Sequence, residues 1–330
     1  MTDSQDNTFS VNGENGRQGL LPAAFAFLFA CFLLLPQTSW AHGIAGQRFF
    51  PTTFAVDDPF ISDEFSLLYN GLTMNDPAGG PRIQSSSLDA GYSKRIMPNF
   101  GIEFDAQYQW LHTEGDGTVS GFGNLEVNVK YQFFTSDEHE TILSVGVSDE
   151  IGHTGSSKIG ADPFSTISPA FYFGKGFGDL PESMGYLRPL AVTGVIGPNI
   201  PLQKTTSTAN DQGGVDVTDN PTTLTWGFTV QYSFMYLQSF VKDVGLTAPF
   251  NRMVAIVEFA NETCLNADCK NQTTSTINPG IAWIGKFTQF GVAAEVPTNS
   301  RSGAGVGVLV LFHIFVDDLF PKSIGRPIFP

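Results

Sequence analysis

From Leu125 to Phe133 every second residue is apolar: Leu125, Val127, Val129, Tyr131 and Phe133. The residues between are polar: Glu126, Asn128, Lys130 and Gln132. A period of two is that of a β-strand with one apolar and one polar face. The pattern recurs at 102–110, where Ile102, Phe104, Ala106, Tyr108 and Trp110 alternate with Glu103, Asp105, Gln107 and Gln109. It recurs again at 224–234 and 306–314, and more briefly at 88–95. No comparable helical stripe follows the first 41 residues.

The connections between such stretches alternate in length. Short links fall at 97–101, 135–140, 178–183 and 285–289. Long polar links fall at 73–84, 112–120, 152–163, 201–221, 262–273 and 298–303. Bacterial membrane barrels have short periplasmic turns and long external loops. The spacing predicts about twelve strands, near 62–71, 85–96, 101–111, 122–134, 141–151, 165–176, 186–197, 222–237, 252–261, 274–284, 289–297 and 304–316. Those near 62–71, 186–197 and 252–261 alternate poorly. The link 238–251 breaks the rule, being long where a short turn is due.

Only 15% of residues are charged, against about 25% in an ordinary soluble domain. The polar faces also carry charges that a soluble sandwich would have to bury. Both points turn the apolar faces toward lipid, where no open sheet edge survives, so the strands must close. The expected fold is all-β, a transmembrane antiparallel up-and-down β-barrel over 62–316. Residues 42–61 are then a periplasmic N-terminal segment and 317–330 a periplasmic C-terminal tail. No energy-coupling plug domain is evident before the first strand.

Ahead of the barrel, Arg17 precedes the apolar run Leu20–Pro36, and Ser39-Trp40-Ala41 forms a small-x-small site. Residues 1–41 therefore read as a signal peptide cleaved after Ala41. Its n-region is long and acidic, which puts the start codon in question, and a permanent anchor is the alternative. The run is short for a span and is broken by Pro22 and Pro36. The expected location is the outer membrane of a Gram-negative bacterium, with membrane lipid, a small-molecule solute and the barrel-assembly machinery as partners. The net charge of -15 argues against nucleic acid.

The polar faces predict a lumen lined by Asp89, Arg95, Glu103, Asp105, Glu126, Lys130, Glu150, Glu258 and Glu295, with Glu103, Asp105, Glu126 and Lys130 on neighbouring strands. An open acidic lumen would favour cations. In a filled lumen the same groups would form a structural ion network. Twelve strands lie between the filled eight-stranded size and the open sixteen-stranded porins, so size does not choose. Trp110 and Trp226 fall at the external rim as members of an aromatic girdle. Cys264 and Cys269, in a polar loop of an exported chain, suit a disulfide that pins the loop. The pairs Asp57-Asp58 and Asp317-Asp318 are expected to meet at the periplasmic seam of the barrel. An N-terminal His42 could chelate copper with a second histidine, His139 being the one near it; a solvated terminus is the plainer reading. Neither a metal nor a cofactor is otherwise implied.

The stretch GFGNLEVNVKYQFF (121–134) resembles the signature of outer-membrane β-barrels grouped with the meta-pathway phenol-degradation proteins, with Asn124 where that family has Asp. RFFPTTFAVDDPFISDE (48–64), NPGIAW (278–283) and HIFVDDLFPKSIGRPIF (313–329) extend the resemblance to the C-terminus. It implies an outer-membrane channel or transporter, for small aromatic or other apolar compounds. One departure is that about fourteen residues follow the last strand, where many such barrels end. Catalysis finds little support: no His-x-Ser pair exists, and His313 falls on the lumen face. The leading expectation is a passive or gated channel for small molecules. The alternative is a closed structural barrel acting through its external loops, above all 201–221 and 262–273.

Overall fold

The alternating stretches pair with their neighbours in chain order. The computed structural model describes residues 43–75, 80–209 and 213–329; the expected signal peptide and His42 lie outside the described residues. Twelve strands run β1 Glu64–Met74, β2 Ile83–Met97, β3 Phe100–Thr113, β4 Leu125–Ser136, β5 Thr141–Ile151, β6 Thr166–Gly176, β7 Leu190–Pro201, β8 Thr223–Ser233, β9 Met253–Cys264, β10 Thr273–Ile284, β11 Thr288–Pro297 and β12 Gly307–Phe315. Each is antiparallel to the next, and β12 pairs with β1 from Val308↔Gly71 to Phe315↔Glu64. The ring is closed, so it has no exposed edge. Every one of the twelve expected strands is present.

Two of the long links carry strands of their own. Gly117–Phe122 continues β4 past a kink at Gly123-Asn124 and pairs with the far half of β3. Thr205–Ala209 and Val215–Asp219 form a hairpin above β7 and β8. At the other end, the long link between β8 and β9 folds into short helical turns, Phe234–Tyr236, Leu237–Val241 and Phe250–Arg252.

The apolar face of each strand points outward. Phe104, Leu125, Tyr131, Phe133, Val145, Val147, Phe171, Ile196, Phe228, Val292, Val308 and Phe312 are exposed around the ring, Phe104 to 51%. Soluble monomers rarely expose an apolar surface of this extent, and one that does marks a membrane or protein contact. A closed ring with a belt of this kind and a polar interior is an outer-membrane β-barrel. Trp110 and Trp226 sit in it toward the loop end, with Trp110 and Phe122 edge-on to Tyr108. The Trp226 indole N–H donates to Thr263 Oγ1 at 3.1 Å. Cys264, at the loop end of β9, is disulfide-bonded to Cys269.

Residues 48–61 do not lie outside the barrel as the sequence suggested. They enter the lumen at the turn end beside β4–β6, reach its middle at Phe54–Asp57, and return to Ser62 at the start of β1. Phe50, Phe54, Val56 and Phe60 are buried there. Phe49 and Phe54 pack on Val254, Ile256, Ala282, Ile284, Ala293, Leu309, Leu311 and Phe315 of the inner wall. Phe50 and Phe60 pack on Ile142 and Ala191, and Val56 on Tyr172 and Val195. Inner-wall glycines give this loop its room. A Cβ on Gly291 would stand 2.7 Å from the Phe54 ring, and one on Gly174 2.9 Å from Pro59.

Candidate functional site

The inserted loop is held by polar side chains that the wall strands present inward. Mid-strand on β9, Glu258 is fully buried and accepts the backbone N–H groups of Phe54 (2.7 Å) and Ala55 (2.8 Å), one on each carboxylate oxygen. On β11, Gln289 accepts the Thr52 N–H (3.2 Å) and donates Nε2–H to the Thr52 carbonyl (2.6 Å). These contacts satisfy backbone groups that would otherwise be stranded away from water. His313 on β12 lies 2.8 Å from Ser66 Oγ through Nδ1, and 3.4 Å from Glu64 and 3.5 Å from Thr52 Oγ1 through Nε2. The Ser144 hydroxyl donates to the Pro59 carbonyl. Ser66, Glu64 and Gln289 are inner-face partners that the sequence reading did not single out, the strand near 62–71 alternating too poorly to show its faces.

At the turn end a second set of contacts fixes the loop's entry. Arg48, 1% exposed, donates Nε–H to Glu140 (3.2 Å) and Nη1–H to the Pro189 carbonyl (2.9 Å), and its guanidinium stacks 3.9 Å above the Tyr236 ring. Tyr236 donates its hydroxyl to the other Glu140 oxygen at 2.9 Å. Burial, then the bond to Glu140, pushes the Tyr236 phenol up to about 12, so it remains a donor at neutral pH. Burial lowers the Arg48 guanidinium, and the charge of Glu140 works against that shift. The long β8–β9 link, anomalous in the sequence, supplies Tyr236 to this latch.

Around the loop's tip the lumen is hollow and acidic. A crevice of about 300 Å³ runs between the loop and β1–β4, lined by Asp57, Asp58, Glu64, Glu103, Asp105, Glu126, Asn128 and Lys130. It shares Ala55, Asp57 and Glu126 with a cavity of about 680 Å³ that reaches Asn220, Pro221 and Glu262 at the loop end. A third, of about 480 Å³, holds Glu295 and Arg301, and a fourth, of about 310 Å³, holds Asp89, Asp105, Glu126, Glu150 and Asp162. Burial, then the charge of Glu150, raises the Asp162 carboxyl. Glu150 accepts Asn124 Nδ2–H at 2.9 Å, and Asp89 accepts the Ser87 hydroxyl at 2.9 Å.

The expected lumen charges thus divide. Asp89, Glu103, Asp105, Glu126, Lys130, Glu150 and Glu295 line these cavities, and Glu258 lies beneath the loop. Arg95 instead belongs to the turn-end rim, where it meets Asp63 (2.8 Å) and Asp317 (3.0 Å). Lys94 joins it on Asp63 at 2.5 Å. The two Asp pairs do not meet at a seam. Asp57 is inside the lumen, 3.0 Å from Lys130 Nζ, and the Asp58 carbonyl accepts from the same ammonium at 2.9 Å. His139 faces Asp179 at 3.2 Å on the turn.

No family model matches the chain. Two curated relatives match short stretches. Transmembrane protein 43 of Rattus norvegicus is 24% identical over 115 residues, 32% of this chain and 29% of that protein. Its Mus musculus counterpart is 27% identical over 88 residues, 24% and 22% of the two chains. The chain thus spans less than a third of the length of either. Among solved structures it is similar to an outer membrane channel from Pseudomonas putida F1 (TM-score 0.46, 11% identical, covering 81% of this chain and 99% of that one). It is also similar to the NanC porin (0.45, 8%, 76% and 98%) and the KdgM porin (0.42, 14%, 76% and 98%). All three are loose likenesses. The ring closure and the two faces stand on this chain's own strand pairing.

Proposed function

We propose that the protein is a gated outer-membrane channel for small molecules, with residues 48–61 as its gate. The observation that carries this reading is the acidic cavity system, reached from the loop end and floored by a loop rather than by barrel wall. A barrel that served only as a structural shell would have no use for wet cavities lined by carboxylates, which are costly to keep in a membrane. The loop end is then the external end and the turn end the periplasmic one. Six carboxylates against one ammonium around the crevice set a preference for cations. The seated loop favours the second reading, a permanently closed barrel acting through its external loops. The aromatic or apolar solute implied by the resemblance to the phenol-degradation barrels fits the outer belt better than this lining.

Reversal potential in a planar bilayer under a salt gradient tests the proposal. The full mature chain should conduct with a cation-selective reversal potential. Glu103→Lys with Asp105→Lys should move that potential toward anions. A folded chain with no conductance under any voltage, or one whose selectivity ignores the charge reversals, removes the channel reading and leaves the closed barrel.

A further inference from the structure

We propose that residues 319–329 form a membrane-interface foot that binds the anionic headgroups of the phospholipid leaflet at the turn end of the barrel. The sequence there, LFPKSIGRPIF, carries two cations and no acid, in a chain whose net charge is -15. Its cations, Lys322 and Arg326, are spaced among Leu319, Phe320, Ile324, Ile328 and Phe329. Apolar side chains interleaved with lysine and arginine suit a segment lying in a headgroup layer. All five apolar side chains are exposed, Phe329 to 58%, and so are both cations.

This exposure is built in, because the backbone is pinned. The N–H groups of Ser323 and Gly325 both donate to the Phe320 carbonyl at 3.1 Å, closing a turn against the short helix Val316–Leu319. Only glycine fits at 325, where a Cβ would lie 2.3 Å from Asp317 Cα. Lys94 Nζ donates to the carbonyls of Ile324 (2.9 Å) and Arg326 (2.5 Å), and Arg95 Nη2 to that of Gly325 (3.3 Å). The N–H groups of Ile328 and Phe329 donate to the carbonyls of Arg95 (3.2 Å) and Ile96 (2.8 Å). These lie just past Ser93, the last residue of β2 in register with β1. A segment tied this way cannot fold its apolar side chains back onto the barrel.

Continuity and charge name the occupant. Lys94 stands opposite Ile102, and Tyr92 opposite Phe104, on the apolar outer face of the sheet. The segment is therefore seated by a residue of the lipid-facing side, at the lower edge of the belt. Lys322 and Arg326 then add charge where phosphate headgroups lie, and cations near an anionic leaflet are attracted to it. The foot goes beyond the channel reading and does not need the barrel to conduct.

The test is fluorescence quenching in phosphatidylcholine vesicles. The refolded protein carries a bimane on Ile324→Cys, its native disulfide left oxidised. The vesicles contain a minor fraction of phosphatidylglycerol or of phosphatidylcholine, spin-labelled on the upper acyl chain. Both should quench, the glycerol lipid with an apparent affinity about fivefold or more higher, the preference that one surface cation supplies. Lys322→Gln with Arg326→Gln should abolish that preference and leave quenching by phosphatidylcholine intact. A bimane on Phe104→Cys, in the belt, should be quenched by both lipids without preference. Each variant is first shown to keep its heat-modifiable barrel. No quenching at 324 beside normal quenching at 104 would put the segment in water or on a protein partner and overturn the proposal. Equal affinity for the two lipids in the parent, or a preference that survives loss of both cations, would overturn it as well. No quenching at 104 would remove the lipid-facing belt and the foot with it.

Discussion

Glu258 shows how a single side chain can decide the state of the lumen. Buried on a membrane strand, a carboxylate is tolerable only where its oxygens are hydrogen-bonded, and here two backbone amides of the inserted loop do that. Each bond to a charged group contributes about 1.5–3 kcal/mol. Glu258→Ala should therefore raise amide hydrogen exchange at Phe54 and Ala55 about tenfold or more. The barrel itself should still migrate as a heat-modifiable species. Unchanged exchange would mean that the loop is held elsewhere. Gly291→Val acts on the same loop through bulk, since its first carbon alone would press on the Phe54 ring. It should make a thiol placed at Thr53 reactive to a water-soluble maleimide that the parent chain resists. The alternation of β9 leads to the expectation of an inward Glu258, and in the structure that side chain meets the inserted loop. Its partners were illegible because they are main-chain amides of a segment with no periodicity.

Strands were the most legible elements, because a lipid-facing side and a wet side impose the period of two. The two faces can be read directly with spin labels. A label at Phe104 or Phe312 should collide with oxygen dissolved in lipid, and one at Glu103 with a water-soluble nickel chelate. The reverse pattern would invert the barrel. Where alternation failed, the loop is the reason. Met253-Val254-Ala255-Ile256-Val257 is apolar on both faces because lipid touches one and Phe54 and its neighbours touch the other. Leu309 and Leu311 on β12 and Ala191 and Val195 on β7 have the same cause. Strands apolar on both faces at one end were thus a signal, present in the sequence, that something fills the barrel there. The phenylalanines of 48–60 are the matching half of it. The long β8–β9 link likewise has a use that its length alone did not reveal, since Tyr236 stands over Arg48.

At the scale of the whole molecule, the barrel is a closed ring whose turn half is filled and whose loop half is open and acidic. The filling is covalently part of the chain, enters past one latch and leaves through Asp63, itself held by Lys94 and Arg95. A loop tethered at both ends can move without leaving, which suits a gate better than a removable plug. The latch hangs on one side chain: Arg48→Ala removes the ion pair, the bonds to the Pro189 and Arg188 carbonyls and the stacked cation together. That variant should open the lumen more often without unfolding the ring, whose hydrogen bonds do not involve it.

Single-channel recording of the refolded protein beside its Arg48→Ala, Glu258→Gln variant tests the gate most directly. The gated channel should give rare or small steps in the parent and frequent, larger ohmic steps in the variant, with the same cation preference in both. Identical traces from the two proteins, whether silent or fully open, would contradict it.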